Sequence, residues 1–349
     1  MDGHIAGGPA AVHGKLHTAA GRPFTGAHGP VRLNGPNLQP VWSPAATGTW
    51  GQGVYDAISD KGFTSVRLVL FWDDFEPQPD AWNETAFQTL TTALDRAESA
   101  GLYVVLDCVH LYGRPEGQAR VPRWARATDG MAAVAANGLG FLQEIAARYG
   151  GRDALAAYDP VNEPARSPLD HRSVLADYTK IVDAIRAEDA ATPIMLEPTY
   201  GDAKVPPTAF SAFTPAEPGD LVWSVHDYYV GGSGDGYGPH GEGDAPSAAD
   251  GTTGYDPANR ADLAAHLKAQ LETATRAGMA LWIGEFGIGA RAPGHDEFIR
   301  DKVALFQAHG LGYAWWEYYA CDGVFGMLAD DGAWRPWVDL LVQPSPLLS

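Results

Sequence analysis

Eight short β-rich apolar runs alternate with longer segments of helical period along a chain of 349 residues. This alternation predicts an α/β protein built as one closed (β/α)8 TIM barrel. Two further observations favour the barrel over an open, doubly wound sheet. The first run ends in Asn34-Gly35-Pro36-Asn37, where a nucleotide-binding sheet would carry a Gly-rich phosphate turn. No composition break or repeat of roughly 20 to 50 residues marks a second domain.

The strands are expected at 31–38, 65–72, 103–110, 155–162, 193–197, 221–229, 280–286 and 312–318. Most are continuously apolar rather than alternating, as strands buried on both faces should be. Between them, apolar residues recur at three and four over 84–100, 131–149, 169–190, 260–277 and 296–309, which predicts amphipathic helices. Gly101, Gly150 and Gly310 stand where a helix end favours a left-handed residue. The expected organisation is an N-terminal extension over 1–28 and a barrel over 29–346. A long Gly-rich loop, 230–257, follows the sixth strand, on the face where such barrels place their sites. That loop reads as a surface excursion or as a lid or subsite wall. Its Asp235, Glu242, Asp244 and Asp250 match no calcium-loop spacing.

Lys and Arg number 24 against 43 Asp and Glu, a formal net charge of −19 that repels phosphate backbones and excludes nucleic acid as a partner. The two cysteines, Cys108 and Cys321, end apolar runs and read as small buried hydrophobes, too few for a disulfide framework or a cysteine zinc site. No stretch approaches about 18 consecutive apolar residues, so no integral membrane segment is expected. The first twenty residues lack the apolar core of a secretory leader, which fits a cytoplasmic protein or a secreted one already trimmed. HExxH, GxSxG and P-loop motifs are missing from the sequence, and neither a metal nor an organic cofactor is expected. The chain is expected to act as a monomer.

Barrel chemistry sits at the C-terminal ends of strands. The fourth strand ends in Asp159-Pro160-Val161-Asn162-Glu163-Pro164 and the seventh in Trp282-Ile283-Gly284-Glu285-Phe286. These strands occupy opposed arcs of a closed ring, so Glu163 and Glu285 can converge above its centre. Convergent carboxylates are the equipment of glycosidic bond cleavage, one protonated to assist departure and one ionised to face the anomeric carbon. At roughly 5.5 Å and an effective dielectric of about 20, two such charges repel by about 3 kcal/mol, enough to separate their pKa values by about two units. Glu-Pro alone carries little information, since it also occurs at Glu76, Glu197 and Glu217. Glu163 differs in following Asn162, whose amide can bond a sugar 2-hydroxyl. Glu197 and Glu317, also at strand ends, are the rival carboxylates.

Taken together these motifs resemble glycoside hydrolase family 5, a group of retaining (β/α)8 enzymes. The residues that carry the likeness are Arg67 in Ser-Val-Arg-Leu, His110 closing Leu-Asp-Cys-Val-His and Asn162-Glu163-Pro164. Further along come His226 and Tyr228 in Val-His-Asp-Tyr-Tyr, Glu285 in Ile-Gly-Glu-Phe-Gly and Trp316 in Ala-Trp-Trp-Glu-Tyr. The resemblance runs over 29–346 and implies Glu163 as acid/base and Glu285 as nucleophile. Tyr228 would hydrogen-bond the nucleophile, His226 lie near the acid/base, and Arg67 orient the nucleophile and keep its pKa low. Trp316 would lie under the cleaved sugar, with Trp72, Trp124 and Trp315 extending that platform. The runs 68–79, 101–107 and 334–346 resemble endoglycoceramidase and glucosylceramidase relatives. After His110, however, the chain reads Leu-Tyr-Gly-Arg-Pro where those relatives commonly have Gln-Asp. The implied activity is hydrolysis of β-glucosides or related β-linked oligosaccharides with retention. The alternatives are a glycolipid, β-1,4-glucan or mannan substrate, or a barrel that binds sugars without cleaving them.

Overall fold

The computed structural model describes residues 8–19, 21, 24–39, 50–110, 121–126, 130–164, 170–199, 205–232, 248–319 and 324–342. A short helix α1 (Pro9–His13) and an antiparallel hairpin of β1 (Phe24–Gly26) and β2 (Gly29–Val31) precede the barrel. Eight parallel strands then close in the order β10-β3-β4-β5-β6-β7-β8-β9. They are β3 (Asn34–Leu38), β4 (Ser65–Val69), β5 (Tyr103–Asp107), β6 (Leu155–Asp159), β7 (Ile194–Leu196), β8 (Leu221–His226), β9 (Ala280–Phe286) and β10 (Tyr313–Trp315). The predicted single-domain (β/α)8 barrel is what forms, each expected strand contributing one stave.

The outer helices are α2 (Gln52–Asp60), α3 (Trp72–Phe75), α4 (Glu84–Ser99), α5 (Gly130–Asn137), α6 (Leu139–Tyr149), α7 (His171–Glu188), α8 (Arg260–Ala277), α9 (His295–Ala308) and α10 (Asp339–Val342). The segment expected as one helix over 131–149 is two, divided at Gly138, whose N–H still donates to the Val134 carbonyl. Asn83 starts α4 and Asp170 starts α7, each accepting a backbone N–H from the first turn. Gly101 and Gly310 adopt the expected positive φ. Gly150 does not: its φ is −55° and the left-handed turn falls one residue later, at Gly151 with φ 89°.

The larger apolar core fills the layer between strands and helices, and a smaller one fills the barrel interior. Leu16, Phe24 and Val31 from the N-terminal segment join Val105, Ala157, Met195 and Val222 in that second core. The segment covers the end of the barrel where the strands begin: Ala10 N–H donates to Gly101, Tyr103 O–H to Gly14, and Thr18 N–H to Asp220. At Gly101 a Cβ would stand 2.2 Å from the Gly8 Cα, so only glycine admits this crossing. With the floor covered, the opposite end is the open face.

Candidate active site

Along three neighbouring strands the inward positions change from apolar near the floor to charged near the mouth: Val105 then Asp107, Ala157 then Asp159, Met195 then Glu197. Period-two alternation brings those charged ends to one level. Arg67 stands among them, fully buried. Its Nε donates to Asp159 at 3.0 Å, Nη1 to Asn37 at 2.9 Å and Glu285 at 3.1 Å, and Nη2 to Asn162 at 2.9 Å and Glu197 at 3.2 Å. Asp107 lies 3.3 Å from Nη1. Burial works against the guanidinium's charge, yet Asp107, Asp159, Glu285 and Glu197 hold its pKa above the ordinary arginine value. Burial and the neighbouring Glu197 lift the Asp159 carboxyl well above its usual range, against the pull of Arg67.

Glu163 follows the end of β6 with φ +43°, a left-handed conformation that costs a non-glycine residue about 1–2 kcal/mol. Its N–H donates to Glu197 Oε2 at 2.6 Å and its Oε1 lies 2.7 Å from His226 Nδ1. The other imidazole nitrogen is 3.1 Å from Glu197 Oε1, and Nδ1 is also 3.6 Å from Glu285 Oε2. Burial opposes protonation of His226, but Glu197, Glu285 and the bond to Glu163 outweigh it and raise the imidazole well above its ordinary pKa. Glu163, His226 and Glu285 place one ligand-type atom each within 4.8 Å of one another, so the two carboxylates and the imidazole converge on one point.

Glu285 lies on β9 opposite His226 across a register shift. Gly284 before it permits the approach, since a Cβ there would meet Ser224 Oγ at 2.5 Å. Tyr228 O–H donates to Glu285 Oε2 at 2.8 Å while Arg67 holds Oε1. The sequence suggests a nucleophile held at low pKa. Here burial wins and raises the Glu285 carboxyl above its ordinary value, with His226 and Arg67 pulling it down and Glu163 adding to the rise. Burial and the same two carboxylates raise the Tyr228 phenol, which keeps it a donor.

His110 bonds Asp107 at 2.7 Å and stacks on Trp316, ring centroids 5.6 Å apart and 6° from parallel. Trp316 is only partly buried. Trp72 and Trp315 are not a platform: both are buried, their indole N–H groups given to Glu76 and to the Phe325 carbonyl. Trp124 packs edge-on to Trp72 and bonds the Glu76 carbonyl. Of the rivals, Glu197 joins the Arg67 network, and Glu317 is buried one residue beyond Trp316, close enough to help raise the Tyr228 phenol. Asp250 spends its carboxylate on the N–H groups of Thr252 and Thr253. Asp235, Glu242 and Asp244 of the long loop, Cys321, and the run after His110 lie outside the described residues; Cys108 is buried. Asn37, Asp107, Asp159 and Tyr178 complete the constellation without being singled out by sequence reasoning. The available signal was that Asp107 and Asp159 end their strands and Asn37 pairs with Arg67 across β3 and β4.

A parallel eight-stranded barrel with two glutamates meeting at the ends of opposed strands defines the class, a barrel of the glycosidase kind. The sequence profile of the cellulase family, glycosyl hydrolase family 5, matches residues 19–322, and the chain belongs to that family. A β-xylosidase of Phanerodontia chrysosporium is 24% identical over 282 residues, covering 74% of this chain and 54% of that protein, so the chain spans about half the length of that relative. The crystal structure of an endogalactoceramidase shares 20% identity and superposes with a TM-score of 0.70 over 94% of this chain and 84% of the other. A lactosyl-enzyme intermediate of endo-glycoceramidase II from Rhodococcus sp. gives 21%, 0.70, 90% and 79%. A hyperthermophilic endo-β-1,4-glucanase with substrate gives 16%, 0.67, 88% and 96%. At these identities the structural likeness is one of fold.

Proposed function

We propose that this protein hydrolyses β-glucosides or related β-linked oligosaccharides with retention, by double displacement, on the site just described. The observation that carries the reading is the approach of Glu163 and Glu285, whose nearer oxygens lie within 4.8 Å, close to the roughly 5–5.5 Å of retaining pairs and below the gap an inverting enzyme keeps for its water. Glu285, gripped by Arg67 and Tyr228, attacks the anomeric carbon while Glu163 delivers a proton to the departing oxygen. The C1–O bond breaks and a glycosyl ester forms on Glu285. Esterification removes the nucleophile's charge, the Glu163 pKa falls, and Glu163 now takes a proton from water as that water attacks C1 and releases Glu285.

Asn162, its carbonyl committed to Arg67, offers its amide N–H to the sugar 2-hydroxyl. Trp316, set by its stack on His110, takes the apolar face of the ring. In this reading the barrel is the catalytic unit and the segment before it is its floor. In the run 68–79, which resembles glycosylceramidases, Leu70, Phe71, Trp72 and Phe75 lie in the core. Proton NMR of the first sugar released from a β-glycoside tests the proposal: the β-anomer is expected at early times, and the α-anomer would overturn retention.

A further inference from the structure

Resting on that reading, we infer that Glu197 is a positioning residue for the acid/base Glu163, gripping it by its backbone and, through His226, by its side chain. Three observations converge. Glu197 Oε2 accepts the Glu163 N–H at 2.6 Å, at the one site residue whose backbone is held left-handed. Glu197 Oε1 lies 3.1 Å from the His226 nitrogen opposite the one that faces Glu163 Oε1 at 2.7 Å. A carboxylate, imidazole, carboxylate chain therefore ends on the group that must donate and later accept the proton. Glu197 is itself fixed: it is fully buried, Arg67 donates to its Oε1 at 3.2 Å, and its N–H donates to the Tyr178 hydroxyl at 3.0 Å.

The geometry explains why a carboxylate, and not an amide, stands at this position. Both oxygens receive donors, Glu163 N–H on one and Arg67 on the other, and the second also lies 3.1 Å from the His226 nitrogen. Glutamine can meet only one of these demands, and its NH2 group would face a donor on the other side. The expected consequence is a misplaced acid/base, while Arg67, which loses one of its several partners, and Tyr228 keep their bonds to Glu285.

Glu197→Gln is read by kcat/KM, which reports formation of the glycosyl-enzyme. On an alkyl β-glycoside, whose leaving group needs a proton, kcat/KM is expected to fall by about 30-fold or more, within the range of general acid catalysis. On a dinitrophenyl β-glycoside, which needs none, it should stay within about 3-fold. Azide should then accelerate kcat of the variant on the dinitrophenyl substrate and yield the β-glycosyl azide, because the second step has lost its general base. Glu197→Asp, which keeps both oxygens on a shorter arm, should show the same discrimination more weakly and serves if the glutamine variant does not fold. Equal losses on both substrates, or no azide acceleration in either folded variant, would overturn the inference. A wild-type protein that cleaves neither glycoside would instead fail the parent proposal.

Discussion

Removing one hydroxyl, in Tyr228→Phe, tests how the nucleophile is kept ionised. The Tyr228 O–H donates to Glu285 Oε2 at 2.8 Å inside a buried site, and phenylalanine keeps the ring in place against Phe325. A hydrogen bond to a charged partner contributes about 1.5–3 kcal/mol. At about 1.4 kcal/mol per pKa unit, its loss should raise the Glu285 pKa by about one to two units. The sign follows from which form is stabilised: the bond favours the carboxylate, so deleting it favours the acid, and Glu285 already starts above its ordinary range. The assay is kcat/KM against pH on a dinitrophenyl β-glycoside, where departure needs no proton and the acidic limb reports the nucleophile alone. The variant's acidic limb should lie about one to two units above the wild type's. A limb that stays put or moves to lower pH would refute the reasoning.

Further expectations concern the other parts of the site. Glu163→Ala should spare kcat/KM for dinitrophenyl glycosides and lower it by about 100-fold or more for alkyl glycosides; equal losses would remove it as the acid. In Glu285→Gly, hydrolysis should cease and azide should restore turnover with an α-glycosyl azide as product, whereas undiminished hydrolysis would move the nucleophile elsewhere. Arg67→Lys replaces a five-donor fork by three donors among four buried carboxylates, and urea unfolding should show a loss of about 3–5 kcal/mol; less than about 1 kcal/mol would contradict the network. Trp315→Ala should cost about 3–5 kcal/mol of stability as a core cavity. Trp316→Ala should mainly impair kcat/KM, and the reverse pattern would exchange their roles.

The barrel was legible because its strands are short apolar runs closed on both sides by turns and helices, a pattern that belongs to local sequence. The hairpin of β1 and β2 was not, since Phe24–Gly26 and Gly29–Val31 are three residues each and pack on the floor only through tertiary contact. Arg67, Glu163, His226, Tyr228 and Glu285 could be named because each lies in a recognisable motif on a strand or just after one. Their mutual bonds could not, for Arg67 reaches partners 30 to 218 residues away, distances no periodicity encodes. The same gap explains Trp315: neighbours on a strand face opposite sides, and the sequence does not say whether Trp315 or Trp316 faces the mouth. The upward pull of burial on the Glu285 pKa was hidden for a related reason, because partners can be guessed from motifs while the depth of burial emerges only once the barrel closes.

The most direct test of a paired-glutamate site is to trap the covalent intermediate with a 2-deoxy-2-fluoro β-glycoside carrying a dinitrophenyl leaving group, then digest the protein and map the sugar by mass spectrometry. The predicted result is one fluoroglycosyl group, esterified to Glu285. A label on Glu197, Glu317 or any other residue would contradict the account.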